Sequence, residues 1–211
     1  MTPSLLLLPL AAYLIGSLSG SLLLGKLRGV DIRTQGSGNA GGTNAFRTQG
    51  AKFALGVLLI DVCKGMFATW LAFVYAPHAL GGDLPYVCAF AAVVGHIWPV
   101  WHGFRGGKGA ATAMGAIAML WPITLPGLLV LWICSVILTG YVGFSTCLTG
   151  LGFAAAALYV GGNDARTLFA IAIAALIVFT HRANLMRMRA GTESRFEKAM
   201  LLSRRKRRHG A

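Results

Sequence analysis

Between Ala111 and Val160 the chain runs for fifty residues without one Asp, Glu, Lys or Arg. As a single straight helix this stretch would be about 75 Å long, against a hydrocarbon core of about 30 Å. It therefore has to fold back on itself, and Trp121-Pro122 and Gly140 to Gly143 are the natural turns. Three short crossings of a bilayer fit that length. Composition agrees: 56% of residues are apolar and 12% charged, where an ordinary soluble domain has about 45–50% and about 25%. Disorder, a coiled coil and an ordinary soluble enzyme are excluded. The chain reads as an integral membrane protein.

Further spans are predicted at Leu5 to Leu24, Phe53 to Tyr75, Leu84 to Val100 and Leu168 to Thr180. The first reads as a span rather than a signal peptide, since it has neither a basic leader nor a clear cleavage site. Its Gly16 and Gly20 form a small-residue packing face. The net charge of +13 is concentrated: seventeen of the nineteen Lys and Arg residues lie within 25–52, 101–110 and 182–211. That is positive-inside patterning and not a nucleic-acid footprint. Placing those three segments in the cytoplasm makes the fold all-α and polytopic. It has seven transmembrane helices, some short, with the N-terminus out and the C-terminus in; five spans is the alternative. Residues 1–211 are expected to form one membrane-embedded domain with a basic tail over about 190–211. Arg204 to Arg208 suit anionic lipid headgroups. Cys63, Cys88, Cys134 and Cys147 show no CxxC spacing and are expected as small buried hydrophobes.

Two of the basic segments are too glycine-dense for plain connectors. Gly36 to Arg47 reads GSGNAGGTNAFR. Small residues such as Gly36 and Gly38 let backbone N–H groups converge on an anion, while Ser37, Asn39, Thr43 and Asn44 add side-chain donors. Arg47 adds a cation suited to bidentate phosphate contact. Gly95 to Thr112 reads GHIWPVWHGFRGGKGAAT, and its Gly106, Gly107, Lys108 and Gly109 open onto an apolar helix, where phosphate is favoured. It is not a Walker A loop, because Gly109 stands where Ser or Thr is needed.

A third segment, His181-Arg182-Ala183-Asn184 followed by Gly191-Thr192-Glu193, falls on the same face by parity. By itself it reads as an interfacial helix end with snorkelling arginines. Asp61 and Lys64, three apart within the second span, are expected to pair inside the membrane. His96 and His102 are expected to pack or make a hydrogen bond rather than ligate a metal. Asp31, Glu193 and Glu197 lie outside both glycine blocks, so no metal site, cofactor or carboxylate base is predicted. Asp31 is expected to be dispensable.

Taken together, GSGNAGGTNAFR, DVCKG from Asp61, GHIWPVWHGFRGGKGAAT and HRANLMRMRAGTE from His181 resemble the bacterial acyl-phosphate:glycerol-3-phosphate acyltransferase family, PlsY. The resemblance implies a seven-span enzyme of the cytoplasmic (inner) membrane, active on its cytoplasmic face. It implies glycerol 3-phosphate and a fatty acyl phosphate as substrates, and lysophosphatidic acid and phosphate as products. It implies catalytic roles for Ser37, Lys108 and His181. Gly36, Gly38, Asn39, Thr43, Asn44, Arg47, Gly106, Gly107, Gly109, Ser145, Arg182 and Asn184 are implied as the substrate contacts. Two places depart from the family pattern. Gly143 stands where the family often has serine, leaving Ser145 or Thr146 as weaker candidates, and Ala40 and Gly42 stand where proline and alanine are common. The rival reading is a transporter for a phosphorylated or anionic solute, although no internal repeat of the usual transporter kind is evident.

Overall fold

Small residues and one buried charge pair shape the first half of the chain. The computed structural model describes residues 4–75, 82–197 and 200, and among these every regular element is helical. They divide into two compact units, residues 1–122 and 123–211. The first holds α1 (Ser4–Gly16), α2 (Gly20–Leu27), α3 (Gly42–Gln49), α4 (Ala51–Tyr75), α5 (Leu84–Ile97) and α6 (Ala110–Leu120). The second holds α7 (Leu125–Thr139), α8 (Val142–Val160), α9 (Asp164–Thr180) and α10 (Arg182–Arg189). Among the described residues, four helical segments are long and apolar enough to cross a membrane. The number rises to six if the bent pairs α1–α2 and α9–α10 each count as one span, and α6 is a shorter apolar helix. The turns expected at Trp121-Pro122 and after Thr139 are present. Arg204 to Arg208 lie outside the described residues.

In the first unit α1 packs on α5 and α4 packs on α6. Lipid is as apolar as a leucine side chain, so such contacts depend on close van der Waals approach at small residues. Glycines provide it from both sides. A Cβ on Gly16 would stand 2.1 Å from the Ala92 carbonyl oxygen, and one on Gly95 would stand 2.2 Å from that of Tyr13. Gly65 and Gly115 bring α4 and α6 together in the same way, facing the carbonyls of Thr112 and Val62.

The first span is not the straight helix the sequence suggests. It breaks between Gly16 and Gly20 with a 45° bend, leaving an unsatisfied carbonyl at one helix end and an N–H at the other. The Asp61–Lys64 pair meets both. Lys64 Nζ donates to the Leu18 carbonyl at 2.8 Å, and Asp61 Oδ1 accepts from the Gly20 N–H at 3.1 Å. The two side chains are 2.9 Å apart and buried. These charges therefore cap a broken helix inside the protein, which accounts for their place in an apolar span.

Candidate active site

Asn44 organises the first glycine block. It sits in α3, is 2% exposed, and directs its side chain into the preceding loop. Nδ2 lies 3.1 Å from the Ile32 carbonyl, 3.0 Å from that of Gln35 and 3.1 Å from that of Asn39, while Oδ1 accepts from the Ser37 N–H at 2.9 Å. The loop is thus wound around one amide. Gly36 and Gly38 take φ of +55° and +72°, and a Cβ on Gly36 would stand 2.4 Å from Asn44 Oδ1. Ser37, Thr43 and Arg47 are exposed, Asn39 is half-buried and Ala40 is fully buried. The amide of Asn44 is committed to holding the loop. The groups presented outward are those of Ser37, Thr43 and Arg47.

The second block is built from backbone. The Gly106 N–H donates to the Ile97 carbonyl at 3.2 Å and the Gly107 N–H to the His96 carbonyl at 3.1 Å. Those two N–H groups are therefore engaged by α5 carbonyls and not held out toward phosphate. Glycine supplies space here instead. A Cβ on Gly107 would stand 2.1 Å from His96 Nε2 and 2.9 Å from the Ala40 carbonyl, and one on Gly106 would stand 2.1 Å from the His96 carbonyl. His96 is buried, its Nδ1 2.8 Å from Lys64 Nζ and 3.5 Å from Asp61 Oδ1. The capped break, α5 and the second block are thereby tied together. Gly109, at φ +89°, precedes α6, whose N-terminus has no side-chain cap. The first-turn N–H groups of α6 are the donors of the kind a phosphate uses.

One arginine ties the segment before the first block to the second block. Arg33 Nη1 lies 3.0 Å from the His102 carbonyl and 3.3 Å from that of Arg105, while Nε and Nη2 grip the Asp31 carboxylate at 2.8–3.2 Å. The Arg33 side-chain and backbone hydrogen bonds hold the Asp31 carboxyl below its ordinary value of 3.8, and the charges of Arg33 and Arg105 add to this. Asp31 in turn raises Arg33.

In the second unit His181 closes α9 and is buried. Its Nδ1 stands 2.8 Å from the Ile177 carbonyl, an acceptor only, so Nδ1 carries the proton and Nε2 holds the lone pair of the neutral ring. Asn184 donates to Glu193 Oε1 at 2.6 Å, and Arg187 donates to Oε2 at 2.6 Å. Arg182 lies exposed with its guanidinium 4.2 Å over the Phe179 ring and bonded to the Phe179 carbonyl. Ser145 is fully buried and donates to the Tyr141 carbonyl at 2.9 Å, while Thr146 donates to that of Val142 and accepts from Trp132. Gly143 abuts Asn184, whose Cβ would be 2.9 Å from a Cβ placed there.

The family model for glycerol-3-phosphate acyltransferase matches residues 6–191. The chain belongs to that family. It is 38% identical over 197 residues to the glycerol-3-phosphate acyltransferase of Geobacter sulfurreducens, covering 91% of this chain and 97% of the relative. It is also 38% identical over 194 residues to that of Clostridioides difficile, covering 90% and 94%. Among solved structures it resembles PlsY (YgiH), an integral membrane glycerol 3-phosphate acyltransferase. The glycerol 3-phosphate form matches with a TM-score of 0.85 and 33% identity over 92% of this chain and 96% of that one. The lysophosphatidic acid form matches with a TM-score of 0.83 and 32% identity over 91% and 95%. This acyltransferase family membership supports the enzyme reading over the transporter.

Two residues make contacts that no local feature of the sequence specifies. Arg33 had a visible signal, an Arg two positions after an Asp at a chain turn, but nothing local named its carbonyl partners. Glu193 lies within the third block, but its buried carboxylate between Asn184 and Arg187 follows only from the fold. The cysteines divide: Cys88 and Cys147 are buried as expected, while Cys63 and Cys134 are exposed on their helices.

Proposed function

We propose that the chain transfers a fatty acyl group from an acyl phosphate to glycerol 3-phosphate, giving lysophosphatidic acid and phosphate for bacterial phospholipid synthesis. The observation that carries this reading is that Arg33, three residues before the first glycine block, hydrogen-bonds the His102 and Arg105 carbonyls of the second. One loop leads to Arg47 and the other to Lys108. Two phosphorylated substrates bring about −1.5 to −2 charges each, and adjoining anion-binding loops answer that requirement.

The acceptor hydroxyl attacks the acyl carbon, the bond from that carbon to the phosphate oxygen breaks, and phosphate departs. Ser37, Arg47 and Lys108 hold substrate phosphate, with Gly36, Gly38, Asn39 and Thr43 shaping the first loop and Asn44 fixing it. Gly106, Gly107 and Gly109 keep the second loop close-packed, so that Lys108 and the first turn of α6 serve as donors. Asn184, Arg182 and Ser145 are proposed as substrate contacts on the family resemblance. The hydroxyl proton passes to His181 Nε2 or to a substrate phosphate oxygen, and His181→Gln separates these, since only the first makes the imidazole indispensable. A good leaving group lets a weak base suffice.

We further infer that α1–α2, α4, α5, α6, α7, α8 and α9 form seven spans of the cytoplasmic membrane, N-terminus out and C-terminus in. The active loops then face the cytoplasm, and residues 1–211 act as one domain with a basic tail over about 190–211. The placement of Lys and Arg supports that orientation. Purified protein in lipid nanodiscs, given palmitoyl phosphate and labelled glycerol 3-phosphate, is expected to yield labelled lysophosphatidic acid. Uptake of glycerol 3-phosphate into proteoliposomes without any product would refute the reading.

A further inference from the structure

We propose that Arg33, oriented by Asp31, is a positioning residue that fixes the second glycine loop and with it Lys108. The inference rests on the acyltransfer reading for its kinetic arm only. The loop from His102 to Gly109 needs an external hold. Gly103, Phe104 and Gly109 all take positive φ, at +64°, +59° and +89°, and Phe104 is the one non-glycine residue to do so among those described. Residues 105–108 have no regular structure.

The inner side of the loop is pinned by the Gly106 and Gly107 N–H bonds to α5, and by the His102 and Phe104 N–H bonds to the Pro99 carbonyl. The carbonyls of His102 and Arg105 are left for another donor, and Arg33 Nη1 meets both. Both edges of the guanidinium are occupied. Nε and Nη2 face the two carboxylate oxygens of Asp31, and Nη1 faces the loop. A planar fork can do this, whereas a lysine ammonium cannot hold the carboxylate and both carbonyls in one plane. Asp31 is itself anchored, since Oδ1 accepts from the Arg33 backbone N–H at 2.9 Å and its carbonyl accepts from the Thr34 hydroxyl at 2.8 Å. Neither residue needs to touch substrate. Their effect reaches Lys108 through the loop backbone.

Two readouts test this, on the full chain in nanodiscs. Arg33→Ala and Arg33→Lys are expected to lower kcat/KM for glycerol 3-phosphate roughly tenfold or more while the thermal midpoint stays near the parent's. Millimolar guanidinium is expected to restore activity several-fold in Arg33→Ala and to leave the parent unchanged. Hydrogen–deuterium exchange is expected to quicken over residues 102–109 in both variants and to stay unchanged in α8. Parent-like kinetics in Arg33→Lys, a loss that guanidinium does not restore, or unaltered exchange over 102–109 would each overturn the proposal. If the parent makes no lysophosphatidic acid, the acyltransfer reading falls, and the exchange measurement still decides whether Arg33 holds the loop.

Discussion

The two glycine blocks look alike in sequence and are held by opposite means. The first is wound around a side chain, the Asn44 amide, with its glycines serving positive φ at positions 36 and 38. The second is held by backbone hydrogen bonds to α5, and its Gly106 and Gly107 serve by having no Cβ. Glycine therefore meets two different requirements, a conformation at Gly38 and a close approach at Gly106 and Gly107. The distinction is measurable, because a methyl group strains Gly38 and collides at Gly107.

The largest effect is expected in the second block. Gly107→Val forces a branched side chain against His96 Nε2 and the Ala40 carbonyl, and turnover should fall roughly a thousandfold or more. Turnover within tenfold of the parent would show that the close approach is not needed. Next come the cations. Arg47→Ala and Lys108→Ala should each remove about 2–4 kcal/mol of transition-state stabilisation, read as kcat/KM with expression and thermal midpoint unchanged. Asn44→Ala tests the first block as a scaffold. It leaves the Ser37 N–H and up to three carbonyls without their partner, a loss of about 2–3 kcal/mol in unfolding free energy. Asn44→Asp should not rescue it, since a carboxylate cannot donate to carbonyls. Gly38→Ala should cost only about 1 kcal/mol, because its φ is +72° but its nearest neighbour, the Arg33 carbonyl, is 3.4 Å from the added methyl. If Gly38→Ala matched Gly107→Val in severity, the contrast between the blocks would fail.

The smallest effect is in pH. Asp31 is held below its ordinary 3.8 by Arg33, so its contribution to stability is fully present above that value. The contribution is lost as the pH falls through the lowered one. Thermal midpoints recorded between pH 6 and pH 3 should therefore decline slightly more steeply for the parent than for Asp31→Asn. Identical slopes would remove Asp31 from the account.

Much of the helical layout was legible from hydropathy alone: α4, α5 and the turns at Trp121-Pro122 and Gly140 follow from apolar runs and their interruptions. The Asp61–Lys64 pair followed from its spacing. The break in the first span did not, because Gly16, Ser17, Ser19 and Gly20 are equally at home in the packed face of an unbroken membrane helix. Its stability depends on Leu18 and Gly20 finding partners on α4. For the same reason the N–H groups of Gly106 and Gly107 look available at the opening of a helix, since the His96 and Ile97 carbonyls that take those hydrogens become neighbours only once the chain folds back. Asp31 looked dispensable by position, and its clasp on Arg33 becomes visible only in the fold.

The acyl donor provides the most direct test of the proposed chemistry. A nucleotide head needs a soluble pocket, whereas an acyl phosphate places its anion beside the carbonyl at a membrane-facing loop. Purified protein in nanodiscs should be given labelled glycerol 3-phosphate with either palmitoyl phosphate or palmitoyl-CoA, and labelled lysophosphatidic acid counted over time. The account predicts product with palmitoyl phosphate and none above background with palmitoyl-CoA; equal turnover with palmitoyl-CoA, or none with palmitoyl phosphate, would contradict it.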